Sequence, residues 1–181
     1  MSKIWVTSDL HFCHDKDFLY APRNFSSIEE HDNQVIKNWN NLIAPDDEVY
    51  CLGDCVLVDT EKGLEYMKML NGKIHIAIGN HDTDKRIELY KQLDNVVEVT
   101  YGYRLKYKKK LFILTHYQTI VANFEEEKPI YNLHGHTHSK DKFCDVCNCY
   151  NVALDAHNCF PVFIDDIIED IKENKNASNS V

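Results

Sequence analysis

With 181 residues, 44% of them hydrophobic, and a formal net charge of −9, the chain is sized for one domain with a substantial core. The charge argues against coating nucleic acid through a basic face, although bound divalent cations would reverse the sign locally and leave a small acidic substrate open. No apolar stretch approaches a membrane span, and Met1-Ser2-Lys3 runs straight into an apolar segment, so no membrane partner is expected and the expected compartment is the cytoplasm.

The first element expected is a strand at Ile4-Trp5-Val6, ending in Asp9-Leu10-His11. An irregular stretch with His14 and Arg23 follows, then a helix from about Ile28 to Leu42. Ser27 and Glu30 have capping-box spacing, and Ile28, Val35, Ile36, Trp39 and Leu42 form its apolar stripe. A turn at Pro45-Asp46-Asp47 leads to a strand at Val49 to Leu52, ending in Gly53-Asp54. The next helix, Thr60 to Leu70, stops at Asn71-Gly72, and the strand Ile74 to Ile78 delivers Gly79-Asn80-His81-Asp82.

A short helix is expected at Asp84 to Leu93. Val96 to Tyr107 and Leu111 to Thr115 then read as two strands joined by a solvated turn, Lys108-Lys109-Lys110, with His116 at the second strand's end. Ile130 to Leu133 leads to Gly135-His136-Thr137-His138, and an edge segment at Tyr150 to Leu154 and a helix near Asp165 to Glu173 complete the count. Strands alternate with helices early and pair as hairpins late, which predicts a mixed sheet arrangement. One domain over 1–173 is expected, with 174–181 a frayed tail.

One pattern recurs: an apolar run, then one or two metal-ligating side chains at its tip. In open α/β sheets the carboxyl ends of strands gather ligands, so tips distant in sequence can meet at one site. Asp, His and Asn form a nitrogen and oxygen donor set suited to Mn, Fe, Zn, Co or Ni, and there are too many for one tetrahedral zinc. Two metals sharing a carboxylate would use them, activating a water and stabilising in-line displacement at phosphorus. Asp54 is the natural bridge, having two oxygens and Gly53 beside it.

Asp9-x-His11, Gly53-Asp54, Gly79-Asn80-His81-Asp82, His116 and Gly135-His136-x-His138, complete and in that order, resemble the motifs of the calcineurin-like metallophosphoesterase family. The resemblance implies an α/β fold, a four-layer α/β/β/α sandwich of two mixed sheets. It implies one metal held by Asp9, His11, Asp54 and His138 and a second by Asp54, Asn80, His116 and His136. His81 would be free to contact substrate and assist the leaving group, with Asp82 supporting the loop or a histidine. Gln118 departs from the proline that many relatives carry after the His116 position, which leaves that loop's shape open.

Mn is the first expectation for the two divalent ions. The expected substrate is a small phosphate ester, diesters at least as good as monoesters, because only Arg23, Lys85 and Arg86 are nearby cations by sequence position. His14 and Arg23 are candidate substrate contacts on a segment that could fold over the site. The alternatives are a phosphomonoesterase with the same site or a non-catalytic binding module on the same fold; no extended nucleic acid and no obligate protein partner is expected. His31, His75, His134 and His157 read as packed or hydrogen-bonded side chains. Seven cysteines, an odd number, favour reduced thiols, and a zinc site of Cys144, Cys147, Cys149 and Cys159 is the lesser reading because the spacing lacks paired knuckles.

Overall fold

The computed structural model describes residues 2–121, 129–144 and 148–178. Two sheets carry the fold. The first has the order β4-β3-β2-β1-β9, built from β1 (Ile4–Thr7), β2 (Glu48–Cys51), β3 (Lys73–Ala77), β4 (Val96–Thr100) and β9 (Val162–Phe163). It is parallel except for β9, which runs antiparallel beside β1. The second has the order β5-β6-β7-β8, from β5 (Tyr103–Tyr107), β6 (Lys110–Leu114), β7 (Ile130–His134) and β8 (Cys149–Asn151). Here β5 and β6 form an antiparallel hairpin while β6, β7 and β8 run parallel.

Alternation along the strands makes two cores. Trp5, Val49, Cys51, Ile74 and Ile76 face one side of the first sheet and pack with Val35, Ile36 and Trp39 of α2 (Ile28–Leu42) and Met67 of α3 (Thr60–Lys68). Val6, Leu52 and Ala77 face the other side and meet Phe112, Leu114 and Leu133 of the second sheet. The remaining helices are α1 (Asp17–Tyr20), α4 (Asp84–Tyr90) and α5 (Ile164–Ser178). From α5, Ile164, Ile167, Ile168 and Ile171 join the second core. Each fully buried large apolar side chain stabilises the fold by about 1.5–3 kcal/mol. The result is the expected α/β sandwich of two mixed sheets, with α2 and α3 against the first sheet and α5 against the core that the two sheets share.

The start of α2 follows its caps: Ser27 Oγ accepts the Glu30 N–H at 3.2 Å, while the Glu30 carboxylate accepts the Ser26 N–H at 2.7 Å. Leu42, expected in the stripe, is 37% exposed at the helix end. Lys108 and Lys109 both have positive φ, 45° and 64°, the pattern of a tight hairpin turn that matches strand twist.

Three expectations change. The strand expected over Val96 to Tyr107 is two strands in different sheets, β4 beside β3 and β5 beside β6. Period-2 alternation reads alike for one long strand or two short ones, so the crossing between sheets is silent in the pattern. The edge strand is Cys149–Asn151, and the two-residue β9 is too short to signal itself. The last helix runs to Ser178, through much of the segment expected to fray.

Candidate metal centre

The loops after β1, β2, β3, β6 and β7 converge because they are fastened to one another. Asp9 N–H donates to Gly53 O at 3.1 Å, His11 N–H to Asp54 O at 2.9 Å, and Gly135 N–H to His116 O at 3.0 Å. Two glycines permit the approach. A Cβ on Gly79 would stand 2.2 Å from Asp54 Oδ1, and one on Gly135 would stand 2.0 Å from Ser8 Oγ and 2.3 Å from Asp9 Oδ2.

Five of the residues expected to bind metal, Asp9, His11, Asp54, His136 and His138, have left-handed backbone, with φ between 48° and 68°. Each such non-glycine position costs on the order of 1 kcal/mol and persists only where surroundings impose it, as at functional sites. The left-handed turns at both His136 and His138 also break the strand rule that residues two apart share a direction. His136 Nδ1 lies 2.8 Å from Asn80 Oδ1, whereas His138 Nε2 lies 3.7 Å from Asp9 Oδ1.

The donors gather in two adjoining groups. Ligand atoms of Asp9, His11 and His138 lie within 4.8 Å of one another, as do those of Asp9, Asp54 and His116. Asn80 Oδ1 is 2.8 Å from His116 Nε2. Asp9 belongs to both groups, and Asp54 Oδ2 of the second reaches toward the first, 3.8 Å from His11 Nε2, 3.5 Å from His116 Nε2 and 4.0 Å from His81 Nε2.

Around these atoms, support is dense. Asp82 is buried; its Oδ2 accepts the N–H groups of Gly79 and Asp54, each at 2.9 Å, and its Oδ1 accepts Tyr90 OH at 3.0 Å. His81 is anchored by its backbone, donating N–H to Asp54 Oδ1 at 2.8 Å while its ring remains 46% exposed. His14 stands against the site, its Nδ1 3.3 Å from His11 Nδ1. The exposed ring of Phe18 packs edge-on to it.

Arg23 departs from the expectation of a substrate contact. Its side chain is 1% exposed and paired with Asp155 at 2.7 Å. It also donates to the Asp9 carbonyl at 3.0 Å and contacts His31 Nε2 at 2.9 Å. Asp155, which sequence reasoning missed, lies 132 positions from Arg23 and 3.0 Å from His138 Nδ1. No local motif marked it.

The other tempting residues are packed. His75 Nε2 pairs with Glu48 at 2.6 Å, His134 Nδ1 lies 2.9 Å from Gly135 O, and His157 Nε2 lies 2.8 Å from Asn151 O. Cys51 and Cys55 are free thiols with sulfurs 3.4 Å apart. The cysteine zinc reading includes Cys147, which lies outside the described residues, and among the described residues no metal-binding group contains a cysteine.

Burial and charge set the protonation of the cluster. Burial works to raise the Asp9 carboxyl, yet His11, His138 and His116 around it bring it down to about 2. Burial raises Asp54, aided by the carboxylates of Asp9 and Asp82 and opposed by His116 and the His81 N–H. His11 is pushed down to about 4 by burial, and His136 is lowered for the same reason. His138 shifts the other way: burial lowers it, but the hydrogen bond to Asp155 and the charge of Asp9 outweigh that. Buried carboxylates beside imidazoles that burial holds toward neutral, as at His11 and His136, are a donor set suited to cations.

A divalent metal fits these residues. Asp9 Oδ1 and His11 Nε2 are buried with no hydrogen-bond partner among the described residues, which is costly unless a cation satisfies them.

A mixed α/β sandwich with oxygen and nitrogen donors collected at its strand ends is the architecture of a candidate metal-binding protein. The chain belongs to the calcineurin-like phosphoesterase family, whose model matches residues 2–177. It is accordingly a metal-dependent phosphoesterase, and the family implies divalent metal cofactors. It is 33% identical over 184 residues to the uncharacterized protein MJ1445 of Methanocaldococcus jannaschii, covering 97% of this chain and 94% of that one. It is 26% identical over 200 residues to the gene 66 protein of Mycobacterium phage D29, covering 96% and 99%. The protein of unknown function AQ665 from Aquifex aeolicus shares the fold, with a TM-score of 0.74 and 22% identity over 93% of this chain and 99% of that one. No helix among the described residues is long and apolar enough to cross a membrane.

Proposed function

We propose that the protein hydrolyses small phosphate esters, with phosphodiesters somewhat favoured, using two divalent ions of which Mn is the first expectation. The observation that carries this reading is Asp54 Oδ2, which lies 3.8 Å from His11 Nε2 and 3.5 Å from His116 Nε2. Asp9, His11, Asp54 and His138 would hold one ion, and Asp54, Asn80, His116 and His136 the other. When bound, such a pair supplies Lewis-acid stabilisation of charge at phosphorus and an activated water for in-line displacement.

The chain's own residues orient and protonate. Asp82 fixes the Asp54 and Gly79 backbones, which keeps the shared carboxylate aimed between the two groups. His81, bound to neither ion, is assigned proton donation to the leaving oxygen, supported by its half-exposed ring beside Asp54. His14 stays a candidate substrate contact.

The diester preference rests on the cations. A monoester dianion gains most from extra Arg or Lys contacts. Arg23 is committed to Asp155, and Arg86 donates from Nη1 to the His81 carbonyl at 2.7 Å and from Nε to Thr60 Oγ1 at 3.2 Å. A chromogenic diester and its monoester, compared at equal Mn, test the reading. Diester turnover at least equal to monoester turnover is expected, and a strong monoester preference makes phosphatase the better description.

A further inference from the structure

Arg23 and Asp155 begin a buried chain of contacts that ends on both sides of the first metal group. Asp155 sits in the 3-10 turn Leu154–His157, which is docked on the loop after β1 through the Leu154 N–H to Ser8 O bond of 3.2 Å. Its carboxylate takes Arg23 Nε at 3.0 Å on Oδ1, and Arg23 Nη2 at 2.7 Å on Oδ2. The same Oδ2 is 3.0 Å from His138 Nδ1. An ionised carboxylate only accepts, so His138 carries a proton on Nδ1, which leaves Nε2, on the Asp9 side, as the atom free to meet a cation.

The same logic runs the other way from Arg23. A guanidinium only donates, so His31 Nε2, at 2.9 Å from Arg23 Nη1, is an acceptor. His31 therefore holds its proton on Nδ1 and gives it to Asp32 Oδ1 at 2.9 Å. Asp32 Oδ2 accepts the Cys13 N–H at 2.9 Å, while Arg23 Nη2 binds the Asp9 carbonyl. Asp9 and Cys13 are both left-handed, at φ 60° and 65°, on either side of the ligand His11. One connected set of side chains thus fixes the tautomer of one ligand and the strained backbone carrying two others. It also ties both ends of the segment bearing His14 and Phe18.

We infer that Arg23 and Asp155, with His31 and Asp32 behind them, are positioning residues that preset His138, Asp9 and His11 for one metal ion. The inference rests on the assignment of those three ligands to a common ion. Outer partners of this kind change metal affinity by about 10- to 100-fold when removed.

The test uses the full chain, wild type and the variants Asp155→Asn and Asp155→Ala, with histidine ¹⁵N spectra of the metal-free protein and calorimetric titration with Mn. The wild type is expected to show His138 as the Nδ1–H tautomer, and Asp155→Ala to shift it toward Nε2–H. In the titration, Asp155→Ala should weaken one of two Mn sites by about 10- to 100-fold and spare the other. Asp155→Asn, which keeps the shape and one acceptor oxygen, should fall between. An unchanged tautomer, or equal weakening of both sites in the well-folded Asn variant, overturns the inference. A wild type that binds no Mn defeats the two-metal reading instead, and the tautomer result still judges the role of Asp155.

Discussion

Asp54 and His116, 62 positions apart in the chain, bring Oδ2 and Nε2 to 3.5 Å at the meeting point of two strand-end loops. The other oxygen of Asp54 takes the His81 N–H at 2.8 Å, so the carboxylate cannot rotate freely. Replacing it with Ala removes the carboxylate that the two proposed ions would share. Asp54→Ala is expected to lose activity by orders of magnitude and to retain fewer than the about two divalent ions per chain expected of the wild type. Metal analysis of purified protein checks this; a single tightly held ion in the wild type together with an active variant would contradict it.

His81 tests the separation of proton transfer from metal binding. His81→Ala should keep its metal content and lose roughly two to four decades of turnover. The loss should shrink for esters with good leaving groups, which need little protonation. If His81→Ala and His116→Ala lose metal equally, the division between them fails.

Asp82 makes a different prediction, because it holds two backbones and touches no donor atom of the proposed pair. Asp82→Ala leaves the Gly79 and Asp54 N–H groups buried without acceptors, so a stability loss of roughly 2–5 kcal/mol is expected. Tyr90→Phe removes only the phenol contact and should cost about 1–2 kcal/mol. Urea unfolding of the metal-free proteins decides it, and near-equal losses in the two variants would show that the backbone contacts carry little.

Acid should destabilise the metal-free protein early. Burial lowers His31 and His157 below the ordinary histidine value, and it pushes His11 down to about 4. The unfolded chain binds these protons more readily than the folded one, so stability is full above about pH 6.5 and declines as pH falls toward 4. His138, raised by Asp155 and Asp9 against its burial, and Asp54, raised by its burial, oppose part of this. A urea midpoint that drops between about pH 7 and 5 is the expected result. A midpoint that rises on acidification would show that these two raised groups dominate.

The sequence by itself determined the chemistry offered at the strand tips. An apolar run that stops at Asp, His or Asn reads as a buried strand delivering polar groups, and five such tips in order sufficed to anticipate the sandwich and the gathering of these side chains at its strand ends. Helix α2 was legible to the residue, because Ser27, the apolar stripe and the turn after it all agree. What only the tertiary structure decided lies in contacts between distant segments. Whether Val96 to Tyr107 makes one strand or two depends on which neighbour each half pairs with. The aim of His136 and His138 at different partners depends on left-handed turns imposed by packed loops. Arg23 read as a candidate substrate contact because a guanidinium suits a phosphate. Its real partner, Asp155, arrives on a turn docked against the loop after β1, and no local period or motif encodes a pairing made by two surfaces folded together.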